Sequence, residues 1–351
     1  MHFKLVQAFI DEHFGRREDS PMVFSYPDQS VTVVFRTKEG TDEDGQRPLG
    51  VLCEVTAQRN VNDKILRILE DVRNGVYDDS PDTNMKVAEL EEKMRSQLIS
   101  QYCTPWDILP RRYHDFYSEI YSDLRWWSIT TCRTARWISN DTSPDPSFSA
   151  GRLTWSSDGE VWSELPRGIR AGNIRIRKGL SAPEHLIERV IGLVESGDSE
   201  PMAHELLCEA VSLSFSYPRS ALLIGVAAAE TGVKHCIYHL QPETEWLLEN
   251  MQSPYLKRLI VDYLPKLAVK NTLSGDVQIP EVSVVAKLKK AIEMRNKLAH
   301  GGKCTVKHET VDDTLVAVRD LLYLLDYYCG HDWAIRHLSS GCKGELGLDD
   351  S

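Results

Sequence analysis

Residues 291–303, AIEMRNKLAHGGK, place an arginine, an amide and an imidazole within six positions: Arg295, Asn296 and His300. Gly301 and Gly302 offer the left-handed stop that ends helices, so the stretch reads as the last turns of one. On a straight helix Asn296 and His300 share a face. Arg295 lies about 140° round from His300 at about 100° per residue, a gap that its long side chain partly bridges. The partial negative charge of a helix C-terminus favours imidazolium and should raise the His300 pKa toward neutrality or above, where proton transfer is efficient. A neighbouring guanidinium can hold a phosphate by two parallel hydrogen bonds. Together these groups suit phosphodiester cleavage without a metal. His300 would take the proton of a ribose 2′-OH or give one to the leaving 5′ oxygen, and Arg295 would stabilise charge on the phosphorane. The same residues also suit an ordinary helix end, where a basic side chain complements the dipole.

The elements that must position this motif follow from hydrophobic periodicity. After about residue 180 strand signals vanish. SAPEHLIERVIGLVESG carries a capping box at Ser181 and Glu184 and closes at Gly197. EPMAHELLCEAVSLSFS is a second helix, and PRSALLIGVAAAETGVKHCIYHL, apolar nearly all round, is the buried centre of a bundle. SPYLKRLIVDYLPKLAV has Ser253 as N-cap and Pro254 at the first helical position. PEVSVVAKLKKAIEMRNKLAH ends in the motif, and a last long helix opens with Thr310 and Asp313 at capping spacing. The expected fold class is therefore an α+β N-terminal domain (1–180), an all-α bundle (181–340) and a loose Gly- and Asp-rich tail (341–351).

In the first half, MVFSY, SVTVVFRT and PLGVLCEVTA read as strands, and NDKILRILEDVRNGV and NMKVAELEEKMRSQLISQY as amphipathic helices. A short helix is expected over RYHDFYSEIYSDL and a strand over WWSITTCRTARWI. Asp158-Gly159 marks a hairpin, and GNIRIRKG alternates as a half-buried strand does. No internal repeat is found.

The formal net charge of −11 confines any nucleic-acid site to a local patch, with salt-sensitive binding. Residues 111–178 reverse that sign, with eleven Lys/Arg against eight Asp/Glu. There Arg125, Arg133 and Arg136 interleave with Trp126, Trp127 and Trp137, and Arg175, Arg177 and Lys178 follow, a composition suited to single-stranded RNA. The plainer reading is a sheet with tryptophans in the core and arginines in solvent. Eight scattered cysteines without a CxxC point to a reduced, cytoplasmic protein. Cys304, His308, Cys329, His331 and His337 lack zinc-finger spacing, and His235 and His239 lack a carboxylate motif, so neither metal nor cofactor is expected. The longest apolar run, ALLIGVAAA, is too short to cross a bilayer, and no signal peptide or membrane anchor is expected.

Residues 200–340 resemble the HEPN superfamily, a compact helical bundle in which Arg is followed after four to six residues by His at the end of a late helix. Arg295, Asn296 and His300 match that pattern. Several HEPN families also carry Glu, three residues, then Lys-Arg on an earlier helix; here Glu230 and Lys234 match, and His235 stands where Arg would be. The long apolar helix ending AAAE is similar as well. The resemblance implies metal-independent endoribonuclease activity leaving 2′,3′-cyclic phosphate, in a cleft between two protomers, in phage defence or under restraint by an antitoxin. It equally admits a non-catalytic dimerisation or nucleotide-binding module with a partner-binding N-terminal domain. Glu230, Lys234 and Asn296 would support the site, or Glu230 and Lys234 would form an i, i+4 salt bridge. The implied partners are RNA, a second copy of the chain and an inhibitory protein.

Overall fold

The computed structural model describes residues 1–9, 21–37, 51–74, 111–142, 148, 151–165, 185–250, 256–273, 275–299 and 305–348. The chain divides into two compact units, Met1–Ala135 with Pro146–Asp198, and Arg136–Asp145 with Ser199–Ser351. The first is α+β and the second helical. The division differs from the boundary expected near residue 180. The helix after it packs on a strand of the sheet, and a ten-residue segment from the middle of the chain belongs to the second unit.

The first unit is built on an antiparallel sheet of β1 (His2–Phe9), β2 (Met22–Tyr26), β3 (Val31–Thr37), β4 (Val51–Gln58), β5 (Arg152–Ser156) and β6 (Ser163–Glu164), in the order β2-β3-β4-β1-β5-β6. Alternation assigns one face to the core: Phe3 and Leu5, Phe24 and Tyr26, Val31, Val33 and Phe35, Val51, Cys53, Val55 and Ala57, then Leu153 and Trp155. The opposite face is mixed and partly exposed, with Glu54 paired to Lys4 (3.6 Å) and Arg36 (3.0 Å) among Val6, Val34 and Leu52. The hairpin between β5 and β6 is the expected one. Gly159 takes φ +85°, and the Asp158 carboxylate accepts from the Glu160 and Val161 N–H groups and from Ser156 Oγ, which hold its pKa down to about 2.

Helix α1 (Asp63–Arg73), capped by Asn62, matches expectation. The strand expected over WWSITTCRTARWI does not form. That stretch continues the expected short helix into α2 (Arg111–Ile138). Tyr113, Tyr117, Ile120, Leu124, Trp127, Thr131 and Ala135 recur at helical spacing and are buried. They cover the sheet, with Tyr26 hydroxyl 2.9 Å from Thr131 Oγ1, Ser128 Oγ donating to Gln7 Oε1 (3.1 Å), and Phe3 edge-on to Phe116. The packing of that stripe outweighs the β propensity of Trp, Ile and Thr. Helix α3 (Leu186–Glu195) packs beside β2.

The second unit consists of α4 (Met202–Leu213), α5 (Pro218–Leu240), α6 (Glu245–Asn250), α7 (Leu256–Arg258), α8 (Lys287–Ala299), α9 (His308–Tyr328) and α10 (Ser340–Glu345), with several short turns between them. Helix α5 is central, against α4, α8 and α9. A Cβ at Gly232 would collide with the Leu322 side chain and meet Ala203 Cβ at 3.3 Å, so glycine there sets how closely three helices approach. By length and mean hydropathy α5 is the one described helix able to cross a membrane, although its apolar run alone was too short. Its buried residues face other helices, as in a core helix.

One further expectation is corrected. Helix α9 begins at His308 with Lys307 at its N-cap, so Thr310 lies inside the first turn and its carbonyl accepts from Thr314 Oγ1. Within the described part of the tail, α10 buries Cys342, and the Glu345 carboxylate accepts from the Val282 and Ser283 N–H groups (2.9 and 2.7 Å). Burial alone would raise that carboxyl, but these donors at a helix start hold it low.

Candidate functional site

Helix α8 carries Arg295 and Asn296. A π-helical turn, Glu281–Ala286, leads into it. Its apolar stripe, Ala291 with Ile292, Met294 and Leu298, packs on Leu222 and Val226 of α5, which fixes its rotation. That rotation aims Arg295 back at α5, where its guanidinium forms an ion pair with the Glu230 carboxylate. The two side chains are 31% and 39% exposed, so the pair sits at the surface of the bundle, open to solvent on one side. Asn296 is half-buried. Lys287, two turns back, pairs with Asp313 at 2.9 Å and ties α8 to α9.

The carboxylate of Glu230 thus joins the earlier helix to Arg295, and among the described residues it makes no ion pair with Lys234. The i, i+4 bridge on α5 does not form. Lys234 Nζ reaches instead to the Leu248 carbonyl at 3.4 Å. A carboxylate that holds a guanidinium edge-on orients the remaining N–H donors and keeps the arginine from folding onto the surface. His300 follows the last described residue of α8 and lies outside the described residues.

The interleaved arginine and tryptophan stretch lies on helix α2, not on a strand. Arg136 is buried, its guanidinium forked onto both oxygens of Glu200. Trp127 and Trp137 are also buried, whereas Trp126 is exposed. Arg125 and Arg133 are half-buried on α2. Arg175, Arg177 and Lys178 lie outside the described residues.

Among the described residues, the cysteines and histidines of the second unit do not come together as a metal-holding group. His308 stacks on Phe215, His331 lies edge-on to Trp137, and His337 Nε2 is 2.8 Å from the Ile138 carbonyl. Cys329 Sγ is 3.4 Å from Cys236 Sγ, and this contact, with burial, pushes the Cys236 thiol far up. Cys304 lies outside the described residues. His239 is bonded to Lys270 at 2.7 Å.

A buried polar network escaped the sequence reading. Asp326 Oδ2 accepts from Trp137 Nε1 (2.9 Å) and lies 2.8 Å from His204 Nε2, while Tyr323 hydroxyl donates to the Trp137 carbonyl. Its signal was available: Asp326 is a lone carboxylate in the apolar run YLLDYY, and a charge placed there requires partners. The network is closed to solvent, and it locks residues 136–138 onto the bundle. Comparison with models of known protein families, with curated proteins and with solved structures finds no match to this chain.

Proposed function

We propose that the second unit is a metal-independent endoribonuclease of HEPN type, in which His300 transfers the proton and Arg295 stabilises the phosphorane. The observation that carries this reading is the ion pair between Arg295 and Glu230. It unites two residues sixty-five positions apart, each of which matched the family pattern separately, at a partly exposed place, with Arg295 five residues before His300 in the sequence. Asn296, half-buried on the same turn, would position the imidazole or the substrate. Cleavage proceeds by attack of the 2′ oxygen on phosphorus, expelling the 5′ oxygen and leaving a 2′,3′-cyclic phosphate. The resemblance also implies that two copies meet at a shared groove and that a partner protein restrains them.

Purified protein incubated with a structured RNA in EDTA tests the reading. Cleavage to cyclic-phosphate ends is expected, with Arg295→Ala and His300→Ala each slowing it by at least about 100-fold. Cleavage abolished by chelation, or unchanged in both variants, overturns the mechanism.

A further inference from the structure

A cavity of about 460 Å³ opens in the second unit between the C-terminal half of α5, α6 and the segment after α7. Its size falls within the range of small-molecule sites, roughly 300–1,000 Å³. Ile237, Leu248, Leu259 and Tyr263 give it a mainly apolar wall. Three cations stand around it, Lys234, Arg258 and Lys266, against one acid, Asp262. That excess of positive charge occurs in a chain whose net charge is −11.

Two features distinguish this cavity from a packing defect. The first is Lys234. It projects from the apolar central helix and is half-buried, and its upstream neighbour Glu230 is engaged by Arg295. Among the described residues its ammonium has no carboxylate within ion-pair distance, and its hydrogen bond to the Leu248 carbonyl is long, at 3.4 Å. A partly desolvated ammonium held by a single neutral acceptor favours an anion beside it. The second is the backbone. Leu259–Tyr263 is a π-helical turn, and Leu259, Asp262 and Tyr263 line the cavity from it. Such turns widen a helix and are frequent at functional sites. Tyr263 is held by its hydroxyl donating to Gln241 Oε1 at 3.0 Å, which fixes the ring as a wall.

We infer that this cavity binds a small amphipathic organic anion, with an aromatic or acyl body against the apolar wall and a carboxylate or phosphate head at Lys234. Arg258 is weakly paired to Asp262 (4.0 Å) and can turn toward the same head group. The inference does not need the ribonuclease reading: Lys234 also belongs to the family pattern, but among the described residues Arg295 pairs with Glu230, which does not line the cavity.

The test uses the full chain and the fluorescent anion 8-anilinonaphthalene-1-sulfonate, with the neutral N-phenyl-1-naphthylamine as its uncharged counterpart. Saturable binding of the anion is expected. Decanoate and 1-naphthyl phosphate, added separately, should displace it and reveal which head group is preferred. Lys234→Met keeps the apolar stem and removes the charge. It should weaken anion binding about tenfold while leaving the neutral probe within about twofold, a split that mere loss of structure does not produce. Thr244→Phe, which fills the cavity from its rim, should abolish binding of both probes while the variant still melts cooperatively. Failure of the anion to saturate, equal loss of both probes in Lys234→Met, or undiminished binding in a folded Thr244→Phe overturns the inference.

Discussion

At the scale of single residues, two carboxylates hold basic groups for different ends. Glu230 orients Arg295 at a surface. Glu230→Gln keeps one acceptor but loses the charge, so the guanidinium loosens; if the proposed chemistry holds, kcat falls about tenfold with KM little changed, measured on the same RNA substrate. Asp326 serves the core instead. Asp326→Leu strands the Trp137 Nε1 donor and the His204 ring in a dry interior and should lower stability by about 2–4 kcal/mol in urea melts. His337 adds a pH term. Burial, opposed by its bond to the Ile138 carbonyl and assisted by Arg319 and Arg336, lowers its pKa from 6.5 to about 4. The unfolded chain therefore binds the proton first as pH falls. The stability of the neutral, buried ring is complete above about pH 6.5 and is lost toward pH 4, on the order of 3 kcal/mol. Urea melts at both ends of that window should show a smaller acid loss in His337→Gln than in the parent.

Among the elements, close helix approach is the controlling feature of the second unit. Gly232→Val would drive two methyl groups into Leu322 and Ala203 and should cost about 2–3 kcal/mol, read as a lowered urea midpoint with unchanged slope. The same variant shifts α5 against its neighbours and would disturb Glu230 two residues before it. Helix α2 teaches the opposite lesson about reading a sequence. Its Trp, Ile and Thr content suggests a strand, yet Tyr113, Tyr117, Ile120, Leu124 and Trp127 already recur at helical spacing. Composition and period conflicted, and period decided, because a stripe of that width needs a sheet to cover. The strands β2, β3 and β4 were legible since their alternation and composition agree. Strand β1 was not, because its inward face holds only two apolar side chains, Phe3 and Leu5, followed by the buried polar Gln7.

For the whole molecule, the chain order of the units is interrupted. Arg136 and Trp137 belong to the second unit, where they satisfy Glu200 and Asp326. A fragment cut at the boundary that sequence suggests, starting at residue 181, would leave two buried carboxylates without those partners and a void where an indole of about 200 Å² was packed. Such a fragment should lack a cooperative thermal transition that the full chain shows in calorimetry. The net charge of −11 acts at this scale too. Any RNA affinity must come from a local basic surface, so it should fall steeply between low and physiological salt.

By itself the amino-acid sequence determined the α+β-then-helical order, three of the strands, the hairpin at Asp158, the central apolar helix and the motif at Arg295. These depend on neighbours within one or two turns, which spacing encodes directly. Only the tertiary structure decided that Glu230 meets Arg295 rather than Lys234, that Arg136 is sealed against Glu200, and that Lys234 stands at a cavity. Those pairings join residues far apart in the chain, and which partner a charge receives is set by how helices rotate to bury their apolar stripes.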